Sequence, residues 1–417
     1  MPEAVNYIVY SIPVFFLLIG VEILIDKARK TGYYRLNDAL SNINAGITEQ
    51  VTGAFLKTFV VGLYAWTYDH MRIASIPDNI VMWIILFIGV DFFYYWFHRL
   101  AHEINVLWGG HVVHHQSEEY NLSVALRQGA FQKFGSFLFY LPLALIGFNP
   151  VMFIVVSQFQ TLYQFWIHTK VVNKLPAPFE FILNTPSHHR VHHGRNPKYI
   201  DKNHGGTLII WDRMFGTFQN EEEEVIYGIT KPLKTWNPLR AQLDFWRDLW
   251  HDLARTPGIG DKIKLLLLPP GWYPAVLGGP QTPPSINKQT EKKFDTHISM
   301  AMNTYVFIQF VITLGITSWF LFTYETMTLS SGLIVMAFVL ISITATGLLL
   351  EGNKWAVLVE RLRLIGLPLV FFYLHYIGFF GIIPVRYYNP LLAYVVVSLI
   401  IFTFILRRNS LHVKNIK

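Results

Sequence analysis

Sixteen histidines stand in a chain of 417 residues, and ten of them fall between positions 98 and 193. Three groups have the spacing of metal ligands. His98-Arg-Leu-Ala-His102 is an i, i+4 pair, so on a helix both imidazoles leave one face, about 6 Å apart along the axis. His111-Val-Val-His114-His115 supplies i, i+3 and i+4, and His189-Arg-Val-His192-His193 repeats that pattern, with His188 directly before it and His168 between the two triads. Eight grouped imidazoles, joined by His168 and His188, exceed what one tetrahedral zinc takes. Two octahedral or five-coordinate metals would use about eight to ten nitrogens, and imidazole suits iron, zinc and copper. The chain has no cysteine, which removes disulfides, iron–sulfur clusters and a thiol nucleophile.

Other metal chemistries fit less well. His102-Glu103 begins like the H-E-x-x-H of zinc proteases, but position 106 is valine. The Glu-x-x-His pairs of soluble carboxylate di-iron bundles are absent. A metal transporter or sensor would place ligands along a transmembrane path, whereas these motifs sit at the ends of apolar segments. A histidine-rich, carboxylate-poor pair of metals at a membrane face points to oxygen chemistry on a lipid-like substrate.

The elements that position these residues are apolar. Hydrophobic residues make up 52% of the chain and charged residues only 15%, against about 25% charged in soluble domains. Apolar runs at 7–25, 46–66, 80–97, 134–148, 151–167, 305–324, 332–350, 364–383 and 391–406 predict about nine transmembrane helices in an all-α, multispanning protein. Lys27, Arg29, Lys30 and Arg35 follow the first run, and Arg407, Arg408, Lys414 and Lys417 follow the last. With the N-terminus outside and the C-terminus inside, nearly all basic clusters fall on the cytosolic side. That distribution accounts for the net charge of +7 and calls for no nucleic-acid partner. The hairpin of runs 134–148 and 151–167, broken at Asn149-Pro150, returns the chain to the face it left. It therefore brings all three histidine groups and His168 to one cytosolic face. The expected division is 1–79 N-terminal transmembrane helices, 80–220 catalytic domain, 221–302 cytosolic or interfacial segment and linker, and 303–417 C-terminal transmembrane helices. Within the third part, a helix over about 239–253 has an apolar face suited to a membrane interface or to packing on the protein.

The order HxxxH, HxxHH, hairpin, HxxHH resembles the membrane fatty acid hydroxylase superfamily over roughly residues 80–220. Within it, His98-Arg-Leu-Ala-His102-Glu103, His115-Gln-Ser-Glu-Glu-Tyr through Arg127, Asn184-Thr-Pro-Ser-His188 through His193, and Trp211-Asp212 through Phe218 are similar to the alkylglycerol monooxygenases, the ether-lipid branch. That resemblance implies two iron ions, dioxygen as co-substrate and tetrahydrobiopterin as reductant. The implied reaction hydroxylates the carbon next to the ether oxygen of a membrane alkylglycerol, giving a fatty aldehyde and a glycerol derivative. His98, His102, His111, His114, His115, His189, His192 and His193 match the ligand motifs, His168 matches the intervening histidine, and His188 and His204 match less closely. The resemblance links Glu103 to pterin use, since one carboxylate can accept the two parallel N–H donors of a pterin ring. It also implies a pterin-recycling enzyme as partner, and the endoplasmic reticulum in a eukaryote or the inner membrane in a bacterium. The alternative within the superfamily is a sterol or fatty-acyl hydroxylase or desaturase fed by a cytochrome b5-type donor. Carboxylates behind the ligands are expected to fix the imidazole tautomers. The candidates are Asp91, which could instead pair with Lys57, and Asp212, which could instead cap a loop.

Overall fold

The computed structural model describes residues 7–286, 291–380 and 388–414, without the side chains at 8, 9, 57, 58 and 409–414. The described residues form helices and no strand, with two isolated bridges, Leu183 to Leu208 and Gly194 to Tyr227. The chain divides into two compact units, one of Met1–Lys234 with Ala241–Phe294 and one of Thr235–Arg240 with Asp295–Lys417.

The first unit begins with α1 (Tyr7–Arg29), α2 (Leu36–Met71), α3 (Ile80–Glu103) and α4 (Asn105–His115). After the single turn α5 (Leu122–Ala125) come α6 (Gln132–Ile146) and α7 (Pro150–Trp166). The short helices α8 (Ala177–Ile182), α9 (Pro186–His192) and α10 (Ile210–Phe215) follow, then α11 (Pro238–Arg255), which belongs to this unit from Ala241 onward, and α12 (Ile259–Leu267). Local chemistry sets the breaks. Asn79 caps α3 by accepting from the Met82 amide at 3.1 Å. The hairpin between α6 and α7 breaks where Asn149-Pro150 predicts. Asn149 accepts from the Val151 amide at 2.7 Å, and Pro150 occupies the first helical position. Gly147 closes α6 at φ +115°, where an added Cβ would stand 2.0 Å from the Ala74 carbonyl oxygen. A kink separates α3 from α4, and α12 holds it: Asn105 donates from its side chain to the Leu265 carbonyl at 2.9 Å and from its amide to that of Leu268 at 3.1 Å.

Helix α2 runs well beyond the expected 46–66. Its first half carries buried Asp38, Ser41, Asn42, Asn44, Thr48 and Glu49, polarity that a hydropathy window discards. Those groups have partners. Arg127 is buried and donates to the Val113 carbonyl at 2.7 Å, to Ser41 and Asn42 at 3.2 Å each, and to Gln116 at 2.6 Å, tying α2 to the end of α4. Helix α3 packs on α4, α6 and α7, around a core containing Tyr64, Leu86, Val90, Leu143, Phe148, Met152 and Val156.

The second unit is built from α13 (Met300–Thr323), α14 (Leu329–Leu350), α15 (Ala356–Tyr376) and α16 (Tyr388–Lys414), packed as neighbours in that order, with α13 also meeting α16. Inside it, Arg363 and Glu360 form a buried ion pair at 2.7 Å, joined by Gln309, Tyr305 and Tyr394.

Four helices among the described residues are long and apolar enough to cross a membrane: Ile80–Glu103, Met300–Thr326, Leu329–Leu350 and Tyr388–Arg408. The hairpin helices are shorter. At 15 and 17 residues, α6 and α7 reach roughly 22 and 26 Å, below the ~30 Å of a hydrocarbon core. Helix α15 places Glu360, Arg361 and Arg363 in its first turns, and the expected run 364–383 ends outside the described residues.

Candidate metal centre

Nine histidines converge as two buried groups. His98, His102, His111, His115 and His192 form the first, and His114, His168, His189 and His193 the second; the potential ligand atoms of each group lie within 4.8 Å of one another. Helical geometry divides the motifs between them. On α4, His111 and His115 are one turn apart and share a face, while His114 lies 100° from His115 and serves the second group. The last motif works in the opposite sense: His189 and His193 go to the second group and His192 to the first. The groups adjoin through the stacked rings of His115 and His193, whose centroids are 4.4 Å apart.

The ring nitrogens show what such a site would hold. Carbonyl oxygens only accept, so an Nδ1 facing one carries the proton and leaves its Nε2 bare. His98 faces the His204 carbonyl at 2.8 Å, His114 that of Arg127 at 2.8 Å, His168 that of Gln164 at 2.7 Å and His192 that of Lys202 at 3.0 Å. His111 faces Gln132 Oε1 at 2.9 Å in the same way. The bare Nε2 atoms then confront one another: His98 and His111 at 3.0 Å, His114 and His168 at 3.2 Å. Two lone pairs at that distance repel unless a cation lies between them. Neighbouring corners of an octahedron with ~2.1 Å metal–nitrogen bonds are roughly 3.0 Å apart. The Nε2 atoms of His102, His192 and His193 are buried without any hydrogen-bond partner, which only a ligand or water repairs. Burial pushes the His111 imidazole down to about 3 and that of His168 to about 4. Burial also holds His114, His115, His189, His192 and His193 well below the ordinary imidazole value. The neutral form so favoured is the one that ligates a metal. The residues present therefore fit a pair of nitrogen-ligated metal ions.

The tautomers are fixed mainly by backbone carbonyls; one carboxylate, Asp201, faces a ligand ring directly, its Oδ1 3.5 Å from His102 Nδ1, while Asp212 and Asp91 act one step further back. Asp212 is fully buried and accepts from the amides of His204 and Gly205 and from the Thr217 hydroxyl, each at 2.7 Å. It thereby holds the loop whose His204 carbonyl receives His98. Burial outweighs these donors and raises the Asp212 carboxyl to about 6. Asp91 anchors the next stretch of the same loop, accepting from the Thr207 and Leu208 amides at 2.7 and 3.1 Å, from Trp211 Nε1 at 2.9 Å and from Gln160 at 2.7 Å. The side chain of Lys57, the other partner considered for Asp91, lies outside the described residues.

His188 joins neither group. It sits 3.1 Å from Glu180 on one side, and its Nδ1 faces the Thr185 amide at 3.4 Å, so it serves the N-terminus of α9. Burial lowers its imidazole to about 4. Glu103, directly after His102, is partly exposed and accepts from Arg99 Nε at 2.9 Å. His204 is fully buried, its ring centroid 5.1 Å from that of His102 and 5.6 Å from that of His192. Trp108, which the motif spacing did not single out, lies against the first group with centroids 4.9 Å from His102 and 5.5 Å from His115. Its signal was its place one turn before His111 on the same helix face.

A family model for fatty acid hydroxylases matches residues 83–217, the stretch that carries every one of these histidines. The chain is 40% identical to the alkylglycerol monooxygenase of Xenopus tropicalis over 86% of its own length and 80% of the relative's. It is 39% identical to that of Danio rerio over 95% and 89%, and 39% identical to that of Homo sapiens over 87% and 82%. No solved structure matches. With relatives this similar over most of both lengths, and a nitrogen-rich pair of groups inside the matched region, the chain belongs to the alkylglycerol monooxygenase family.

Proposed function

We propose that this protein is an ether-lipid monooxygenase that hydroxylates the carbon next to the ether oxygen of an alkylglycerol. One oxygen atom of O2 enters that carbon, the hemiacetal collapses to a fatty aldehyde and a glycerol derivative, and the other oxygen leaves as water with two electrons and two protons from a reductant. The observation that carries this reading is the pair of buried groups of bare imidazole nitrogens in a chain of this family. His98, His102, His111, His115 and His192 would hold one iron, and His114, His168, His189 and His193 the other. Bound iron supplies the activation of dioxygen. The chain supplies the rest. Carbonyls of His204, Arg127, Gln164 and Lys202 hold the ring orientations, and burial keeps the imidazoles neutral and water away from the reacting carbon. His188 acts as a positioning residue through the start of α9.

Tetrahydrobiopterin is the proposed reductant, with a pterin-recycling enzyme as partner and Glu103 as the acceptor for the ring's paired N–H donors. In turnover of a defined alkylglycerol in detergent, reduced pterin should support product formation, while NADPH with a b5-type donor should not. Glu103→Ala should keep both metals and raise the pterin concentration needed by about 5- to 150-fold, the worth of one charge-assisted acceptor (~1–3 kcal/mol). Full turnover at low pterin in that variant removes Glu103 from the cofactor site, and turnover driven only by the b5-type donor favours the sterol and fatty-acyl branch.

We further propose about nine crossings, with the N-terminus outside and the histidine groups on the cytosolic face of the endoplasmic reticulum or of a bacterial inner membrane. The proposed division into segments 1–79, 80–220, 221–302 and 303–417 follows that layout. Its support is the one-sided distribution of Lys and Arg. A reporter inserted near Asn220 should read as cytosolic, and an external signal overturns the orientation.

A further inference from the structure

Resting on the two-metal reading above, we infer that Glu22, a buried carboxylate of α1, is a positioning residue of the second histidine group, acting on His168 through the Thr169 hydroxyl. Glu22 is the only charged residue in the apolar run from Tyr7 to Ile25, and it is 3% exposed. A charge in such a run is costly and is kept where it has partners. Three donors converge on this one. The Thr169 hydroxyl donates to Oε1, while the Leu122 amide, at 2.8 Å, and the Tyr34 hydroxyl donate to Oε2. A carboxylate suits the place because it only accepts; an amide would turn an N–H toward one of those donors.

Those contacts end at the second group. His168 lies just past the end of α7, so no helix carries its main chain onward. The residues on either side of it are held instead. The Ile167 carbonyl accepts from the Tyr120 hydroxyl at 3.0 Å. The Thr169 hydroxyl accepts from the Val171 amide at 2.9 Å while donating to Glu22, and the Thr169 carbonyl accepts from Arg190 Nη1 at 3.1 Å. Arg190 directly follows His189, so one threonine joins α1 to the neighbours of two ligands. With its main chain fixed and its Nδ1 on the Gln164 carbonyl, His168 holds its Nε2 3.2 Å from that of His114 and 3.0 Å from that of His189. Glu22 meets the group a second time through Leu122, two residues after Tyr120, whose ring stacks on His168 with centroids 5.8 Å apart and meets His193 at 5.3 Å. Asp201 and Asp212, which serve the first group, lie inside the 83–217 match; Glu22 lies outside it, 147 positions from Thr169. Helix α1 is thereby part of the metal centre, although the hydroxylase match does not contain it.

The test removes the hydroxyl and the carboxylate separately and counts the ions that stay. The iron-loaded parent, Thr169→Val, Thr169→Ser, Glu22→Gln and Glu22→Ala are each titrated with a chelator. Thr169→Val should release one of its two ions at about 10- to 100-fold lower chelator concentration than the parent, the usual effect of removing a group that orients a metal ligand. The other ion should leave where it does in the parent. Thr169→Ser should match the parent, because it restores the donor. Glu22→Ala should reproduce Thr169→Val, and Glu22→Gln, which keeps one acceptor, should fall between. In a His114→Ala/His189→Ala background, Thr169→Val should leave release of the remaining ion unchanged. A general loosening of the fold would instead weaken both ions together and carry over into that background. Loss of both ions together, an unaltered Thr169→Val, or a Thr169→Ser that fails as Thr169→Val does, overturns the inference. If Glu22→Ala does not fold, the two Thr169 variants decide alone. A parent that holds one ion rejects the two-metal reading and the inference with it. A two-ion parent that shows these effects without alkylglycerol turnover upholds the inference and rejects the ether-lipid reaction.

Discussion

A His114→Ala/His189→Ala double variant should bind one metal ion per chain where the parent binds two, and should lose alkylglycerol turnover by more than about 100-fold. Both imidazoles belong to the second group, and neither belongs to the first. Second-layer changes alone typically cost 10- to 100-fold in metal affinity or activity, and this variant removes two of four nitrogens outright. The first group keeps its five histidines, so one ion should stay. Elemental analysis of protein purified from an iron-replete host measures the stoichiometry. Zinc in place of iron leaves the assignment intact, because the same nitrogens bind it. A variant that keeps two metals, or a parent that holds only one, breaks the two-group reading. The metal-free parent should also weaken in acid. The imidazoles of His111 and His168 titrate lower in the folded chain, at about 3 and about 4, than the 6.5 of an unfolded one. As pH falls through about 6.5 the unfolded chain takes up protons that the folded core refuses, so stability falls with pH in that window. Bound metal should narrow that loss.

The histidine motifs were legible because their chemistry is carried by spacing on single helices. His98 with His102, His111 with His115, and His189 with His193 needed only the helical repeat. The break at Asn149-Pro150 was legible for a similar reason, since both residues act within one turn of chain. What escaped depends on contacts between distant segments. No periodicity shows that the His204 carbonyl, 106 positions away, receives the His98 ring, so the orienting role went to carboxylates. His188 sat beside the ligand His189 in sequence, but at a helix start its side chain turns to Glu180 and Thr185. The polar first half of α2 carried no membrane signal, and its function as a buried support appears only when Arg127, Asn42 and Ser123 meet there. Trp108 looked like one of twelve tryptophans in an aromatic-rich chain until the kink between α3 and α4 set it against His102.

Asp91→Ala should be the most destabilising single substitution in the region around the metals, by about 3–5 kcal/mol, because several buried donors lose their acceptor at roughly 1–3 kcal/mol each. The carboxylate is fully buried and accepts four hydrogen bonds, from Gln160, Thr207, Leu208 and Trp211. An alanine leaves all four donors without an acceptor, and no main-chain carbonyl is freed to replace it. The loop is also committed sterically: a Cβ at Gly206 would stand 2.9 Å from Asp91 Oδ1, so the backbone already touches the carboxylate. Asp212→Ala should behave differently. It frees the His204 and Gly205 amides and the Thr217 hydroxyl, but Thr217 keeps Tyr95 at 2.9 Å. Its main effect should fall on the His204 carbonyl and hence on His98, lowering metal affinity about 10- to 100-fold with a smaller fall in melting temperature. Thermal unfolding in detergent, with and without added iron, separates the two. Added metal should recover much of the Asp212→Ala variant's melting temperature, because the ligands survive and only their aim has loosened. It should recover little for Asp91→Ala, where the loss lies in the support beneath the loop. Equal rescue of both would mean that Asp91 acts through the histidines alone, and an unchanged melting temperature in Asp91→Ala would mean that water satisfies its donors.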